Sequence, residues 1–456
     1  MNDKVKNKLI ITIAGMGMLL STLDTGIINV ALPFLESQFH TSTSIAALSV
    51  TGYTMSLAIF ILPFGYLSDR YGKLKLSLIG LLLFGVGSVL CGLANNMIAL
   101  ISFRILQGIG AAGLQATSAA LITTLIEPKH VPSALGILGI MIGLGPVLGP
   151  SIGGLFLALH LWRLIFWINV PFAALGLICN YFLIKNVSEQ QKVAPFDLWG
   201  SVINALSVMS LLSGFSLLSN RRNLIPGVVL IAISLLFALM LYIMETKRNF
   251  ALIDFKGLNA TPKSWLYLLQ TVVFGFASAM IFLLPPFIFE KLLNLNVGVT
   301  GLLVLGAPAG LVIFSKVSGK YNDGHQNTGF SLLGLSIIAV ALAGLCIANQ
   351  YWPALAITLL LFIYGVGGGF FQPANIAAIM QVGDQASQGS LGSLQRMVQN
   401  IAIASGTAIG STVLNLFSGR LATSIQINWG ITLAMVVVTL LLSIIFKRSV
   451  AATNYC

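Results

Sequence analysis

The chain has 456 residues, 57% of them hydrophobic and only 8% charged, with a net charge of +12. Soluble domains carry roughly 25% charged residues, so a mean hydropathy of +0.95 over this length excludes a water-soluble surface. The cations are spread thinly through short loops rather than clustered with aromatics, which points to membrane topology and away from nucleic acid.

A spanning helix needs about 20 mostly apolar residues. Such runs recur at 9–33, 45–64, 76–94, 97–121, 133–158, 164–184, 198–219, 224–244, 264–289, 297–317, 328–348, 353–378, 391–417 and 427–446. The pattern predicts an all-α polytopic membrane protein with fourteen spans. The first run is too long for the core of a cleaved signal peptide and reads as a span. Connections are short, and the longest, 245–263, predicts a short helix at the membrane surface.

Of the 24 Lys and Arg, Arg104 and Arg396 lie deep in spans, and five (Arg163, Arg221, Arg222, Lys291, Arg420) fall on one side. The remaining seventeen fall on the other side, which the positive-inside rule makes cytoplasmic together with both termini. Cys91, Cys179, Cys346 and Cys456 show neither disulfide nor metal-ligand spacing and read as small packing residues.

The chain repeats itself. Gly108–Gln115 in span 4 is echoed by Gly365–Gln372 in span 12, Gly65 and Asp69 by Gly319 and Asp323, and Gly145 and Gly149 by Gly406 and Gly410. Each echo maps span n onto span n+8. This predicts a six-span half at 1–190, two additional central spans with a surface segment at 191–262, and a second six-span half at 263–456. Parallel halves around a central site are a transporter architecture.

Two motifs mislead. Gly108-Ile-Gly-Ala-Ala-Gly113 fits a dinucleotide fingerprint but sits mid-span without a preceding strand, where small residues serve helix packing. Gly257-Leu-Asn-Ala-Thr-Pro-Lys-Ser264 nearly fits a phosphate loop, yet Pro262 replaces its second glycine. Neither predicts a cofactor, a metal or catalysis.

Charge inside lipid costs about 2.5–3.5 kcal/mol on insertion scales and marks function. Asp24 is the only acid well inside a span. Asp24 lies roughly 13 Å and Arg104 roughly 10 Å below the same surface at 1.5 Å per residue, so the two are expected to pair. Gln115 falls on the face of Arg104, eleven residues along.

Several segments carry a family resemblance: Leu23-Asp-Thr-Gly-Ile-Ile-Asn-Val-Ala-Leu-Pro33, Gly65-Tyr-Leu-Ser-Asp-Arg-Tyr-Gly-Lys-Leu-Lys75, Leu100–Gly110, Gly145-Pro-Val-Leu-Gly-Pro-Ser-Ile-Gly-Gly154 and Trp162-Arg-Leu-Ile-Phe-Trp-Ile-Asn-Val-Pro171. Together they resemble the fourteen-span drug/proton antiporters of the major facilitator superfamily. Gly26 departs from that pattern, which usually has threonine there. The resemblance implies the major facilitator fold and a loop latch formed by Gly65, Asp69, Arg70 and Gly72. Asp69 there can accept bonds from Arg70 or from a neighbouring helix N-terminus. In span 5, Gly145, Pro146, Gly149 and Pro150 are expected to bend and closely pack the helix at an interface suited to rocking.

The expected function is proton-coupled efflux of amphipathic, cationic drugs and dyes by alternating access, in a bacterial plasma membrane, by a monomer that is not an enzyme. Asp24, Arg104 and Glu36 are expected to handle protons, with an unpaired Asp24 favouring cations. Tyr53, Gln115, Gln270, Phe276 and Gln372 are expected to line the cavity facing that site. The alternatives are a single-substrate exporter such as one for tetracycline, a metabolite/proton symporter, or, more remotely, a membrane receptor or scaffold.

Overall fold

The fold is taken from a computed structural model, which describes residues 2–41, 43–187, 189, 195–218, 223–248, 250–348, 351–382, 387–417 and 419–453. Among them every regular element is helical. The reason is physical: in hydrocarbon each backbone donor must be satisfied within its own segment. Where helices begin, side chains supply what the first turn lacks. Asn2, Asn96 and Asn296 accept from the backbone amides of Lys4, Ala99 and Val299.

The helices are α1 (Asp3–Gln38), α2 (Thr43–Tyr71), α3 (Lys73–Leu93), α4 (Met97–Leu125), α5 (Val131–Ala158), α6 (Leu164–Trp167), α7 (Asn169–Asn186), α8 (Leu198–Leu218), α9 (Leu224–Glu245), α10 (Phe255–Ala260), α11 (Lys263–Pro286), α12 (Val297–Val304), α13 (Gly306–Tyr321), α14 (Asn327–Ile347), α15 (Ala354–Met380), α16 (Gln388–Leu416) and α17 (Leu421–Thr453). Among the described residues, thirteen segments are long and apolar enough to cross a membrane. The span expected at 133–158 coincides with α5, a 28-residue helix. The span expected at 164–184 is divided into α6 and α7, and that at 297–317 into α12 and α13. The expected surface segment holds the six-residue α10. Between α2 and α3 the chain turns on Gly72 alone, at φ +104°, a conformation that glycine adopts without a Cβ clash.

The described chain forms two compact units. The first comprises 1–209, 237–255 and 383–397, and the second 210–236, 256–382 and 398–456. Residues 191–262, expected to hold two additional spans and a surface segment, are shared between the two units. The start of α8 and the end of α9 belong to the first unit, and their other ends to the second.

Inside each unit the same helix pairs pack. In the first, α2 and α3 flank α4; in the second, α13 and α14 flank α15. The duplicated glycines explain the closeness. A methyl group on Gly110 would meet Phe84 Cα at 2.7 Å, and one on Gly367 would meet Gly334 O at 2.7 Å. Likewise Gly149 in α5 lies against Gly26 and Ile27 of α1, and Gly406 in α16 against Phe276 and Ala279 of α11.

Candidate functional site

In the first unit α1, α4 and α7 converge on Asp24. Its Oδ2 pairs with Arg104 Nη1. Its Oδ1 accepts from Gln107 Nε2 at 2.9 Å and from Asn169 Nδ2 at 3.1 Å. Arg104 is tied further: Nη1 donates to Gln107 Oε1 at 2.6 Å, Nε donates to Ser49 O at 3.2 Å, and the guanidinium lies 4.2 Å over the Tyr53 ring. Asp24 is 2% exposed and Arg104 is fully buried.

A buried ion pair needs such partners, because desolvation of two charges exceeds their attraction unless the remaining polar atoms are also bonded. Gln107 and Asn169 supply them. Among the described residues, Arg104 Nη2 and Asn169 Oδ1 have no hydrogen-bond partner. The cluster is therefore charge-balanced and keeps one donor and one acceptor in reserve.

The expected Asp24–Arg104 pair is present, and Tyr53 and Gln115 lie beside it. Tyr53 Oη donates to Ser21 O at 3.0 Å, and Gln115 Nε2 donates to Ser21 Oγ at 3.2 Å. Both Asp24 oxygens are bonded in this structure. Glu36 is not brought to the cluster, because it lies twelve residues along the same helix, about 18 Å at 1.5 Å per residue. The sequence reading missed Gln107 and Asn169. Gln107 is three residues from Arg104, hence on its face, and Asn169 lies inside the quoted Trp162–Pro171 motif.

The cavity candidates in the second unit separate. Gln270 is consumed by packing: Nε2 donates to Ser443 Oγ at 2.9 Å, and Oε1 accepts from Ser331 Oγ at 2.8 Å and Asn375 Nδ2 at 3.3 Å. Phe276 sits in an apolar core with Met280, Leu284 and Trp429. Both side chains, expected to line the cavity, are buried among neighbouring helices in this structure. Gln372 differs: it is 2% exposed, and neither amide atom has a partner among the described residues.

The repeat shows what is special about the first unit. The offset that places Gly108 on Gly365 places Gln107 on Tyr364, and Asp24 falls near Ser278. Ser278 Oγ and Tyr364 Oη are 3.1 Å apart. A neutral hydroxyl pair thus stands in the second unit where the first holds its charges.

The loop motif forms a second constellation, also within the first unit. Asp69 Oδ1 accepts from Gly389 N at 2.7 Å, Oδ2 accepts from Ser390 N and Ser390 Oγ at 2.8 Å each, and Lys73 Nζ lies 3.1 Å from Oδ1. The carboxylate thereby caps the N-terminus of α16, where free amides and the helix dipole favour an anion. Gly65 allows the approach, since a methyl there would lie 2.6 Å from Gly389 O. Thr123 Oγ1 adds a bond to Gln388 Oε1 at 2.9 Å. Arg70, expected as a possible partner of Asp69, lies over the Tyr71 ring instead. Glu189 caps the next helix, accepting from Lys73 N and from Leu74 N, the latter at 2.9 Å. In α5, Gly145 and Gly149 pack against residues 22–27 of α1, directly beside Asp24. The side chains of Pro146 and Pro150 lie outside the described residues.

Comparison with known proteins agrees with this architecture. The family model for the Major Facilitator Superfamily matches residues 14–407. The riboflavin transporter RibZ of Clostridioides difficile is 30% identical over 89% of this chain and 87% of its own length. The putative multidrug resistance protein MdtD of Pectobacterium atrosepticum is 26% identical over 96% of this chain and 94% of its own. Among solved structures, the human organic anion transporter MFSD10 superposes with a TM-score of 0.69 at 14% identity, covering 96% of this chain and 99% of that one. The proton:xylose symporter XylE gives 0.68 at 16%, covering 96% and 95%. The helical repeat, the paired units and a family match across most of the chain lead to one identification: this chain is a membrane transporter of the major facilitator superfamily.

Proposed function

We propose that the chain is a proton-coupled multidrug efflux antiporter of a bacterial plasma membrane, exporting amphipathic cations as a monomer with both termini cytoplasmic. The observation that carries this reading is the balanced, buried cluster of Asp24, Arg104, Gln107 and Asn169. Protonation of Asp24 leaves Arg104 uncompensated and makes the cluster net positive. A proton and a cationic substrate then compete for the same negative charge, and that competition is the elementary requirement of antiport. Gln115 and Tyr53 beside the cluster and Gln372 in the second unit are the polar groups proposed to meet substrate. Apolar walls supply most of the affinity, which is tolerant of shape because area burial is not directional. The bond from Asp69 to the α16 terminus is proposed to hold one conformation and to open in the other.

A second reading is favoured by one observation, the 30% identity to a riboflavin transporter: a dedicated carrier of one neutral heteroaromatic metabolite. Purified protein in liposomes separates the two. Drug-driven proton movement across several unrelated cationic dyes, lost in Asp24→Asn, supports the first. Riboflavin flux with no response to any cation establishes the second. Proton-independent dye flux overturns coupling through Asp24.

A further inference from the structure

A second pair of buried acids lies in the first unit at the base of α8 and α9, apart from the transport cluster. Asp197 precedes α8 and is 5% exposed; Glu245 ends α9 and is 1% exposed. Each uses one oxygen conventionally. Asp197 Oδ1 accepts from Gly200 N at 2.9 Å and from Arg248 Nη1 at 2.6 Å, and Glu245 Oε2 accepts from Ile253 N at 3.1 Å. The other two oxygens, Asp197 Oδ2 and Glu245 Oε1, are buried and have no donor among the described residues. They converge on one point: a methyl group on Gly200 would collide with Glu245 Oε1 and sit 2.8 Å from Asp197 Oδ2. Their shared approach to that one position puts the two oxygens no more than about 5 Å apart.

Two buried ionised carboxylates so close repel each other, and a proton on one of them relieves that repulsion. Arg248, 38% exposed, balances a single negative charge and is already bonded to Asp197. Glu245 also closes α9, where the helix dipole opposes an anion and tolerates a neutral acid. Among the described residues, Tyr66 of α2 also faces the pair, with Asp69 and Arg70 further along that helix. Tyr66 Oη donates to Pro195 O at 2.7 Å, and its ring meets Phe196 edge-on at 6.0 Å. That contact ties the entry of α8 to α2, three residues before Asp69.

We propose that Asp197 and Glu245 form a proton-binding site separate from Asp24, whose shared proton clamps the ends of α8 and α9 together and, through Tyr66, against α2. Loss of the proton sets two like charges against each other across Gly200 and loosens the clamp. The site thus makes this face of the protein responsive to the pH on its own side of the membrane.

The test needs no substrate, so it is independent of the transport reading. Infrared spectra of the purified protein at neutral pH should contain a protonated-carboxyl carbonyl band that Glu245→Gln and Asp197→Asn each remove. The folded pair holds a proton that the unfolded carboxylates release, so wild-type thermal stability should fall as pH rises above the ordinary carboxyl range and level off once the pair itself has lost the proton. Protection against hydrogen exchange at 195–200, 245–248 and 250–253, after division by the intrinsic rise of exchange with pH, should fall as the pair loses its proton. Both responses should be flat in Glu245→Gln, which keeps a neutral donor in place of the acid. Wild-type spectra without a band assignable to either residue overturn the proposal, even if neither variant folds. So does an increase in stability on adding calcium or sodium that Glu245→Gln abolishes, which would make the pair a metal cation site.

Discussion

Gln107 bridges both members of the buried ion pair: its Nε2 donates to Asp24 Oδ1 at 2.9 Å, and its Oε1 accepts from Arg104 Nη1 at 2.6 Å. The same Nε2 reaches Ser88 Oγ at 2.9 Å. Gln107→Leu therefore strips a donor from the carboxylate and an acceptor from the guanidinium together. The expected cost is about 1–3 kcal/mol of stability, with slower proton-coupled turnover. Asn169→Ala, which removes one donor, should cost less. Thermal unfolding and liposome flux on the two variants check the order.

Arg104 holds Asp24, Gln107, Ser49 O and the Tyr53 face with one planar group. Lysine supplies the charge without the fork. Arg104→Lys should insert and fold but transport poorly. Arg104→Ala leaves a buried carboxylate without its cation and should lose about 3–5 kcal/mol. Expression level and unfolding temperature discriminate the two outcomes, and a fully active Arg104→Lys would contradict the geometry.

Asp69→Lys places a cation against the α16 N-terminus and beside Lys73. Turnover should fall while dye binding, read by fluorescence, stays near that of the wild type. Asp69→Asn keeps an acceptor oxygen but not the charge, and should show an intermediate rate. Equal turnover in all three proteins would show that the cap is not part of the cycle.

At the crossing of α1 and α5, a Cβ on Gly149 would lie 2.7 Å from Gly26 Cα. Backbone cannot retreat as a side-chain tip can, so Gly149→Val should separate the helices beside Asp24. Overpacking of this kind costs about 1–3 kcal/mol. Gly154, with nothing within 4 Å of its Cβ position, provides the control. Gly154→Ala should leave unfolding temperature and transport unchanged.

The proton count is read from what drives export. With Asp24 acting alone, one proton exchanges for one monovalent cation and no net charge moves, so each pH unit supplies about 1.4 kcal/mol. A second carrier such as Glu36 would add about 2.3 kcal/mol per 100 mV. Because Glu36 lies outside the cluster, export in liposomes with no pH gradient should not respond to membrane potential. Potential-driven export that disappears in Glu36→Gln would assign the second proton to Glu36.

Much of this protein is readable without coordinates. Apolar runs of membrane length specify helices because hydrocarbon offers no alternative partner for the backbone, and short duplicated motifs disclose two similar halves. The cost of charge in lipid singles out Asp24 and Arg104, and equal depth pairs them. Neutral polar residues carry no such signal. Gln107, Asn169, Gln270 and Gln372 look alike in an apolar run, yet two bond the ion pair, one ties helices together and one has no amide partner among the described residues. Which of these occurs depends on the faces that meet between helices distant in the chain. Tertiary packing alone decides that, as it decides that Asp69 finds the amides of Gly389 and Ser390 rather than Arg70, and that Asp197 and Glu245 both approach Gly200.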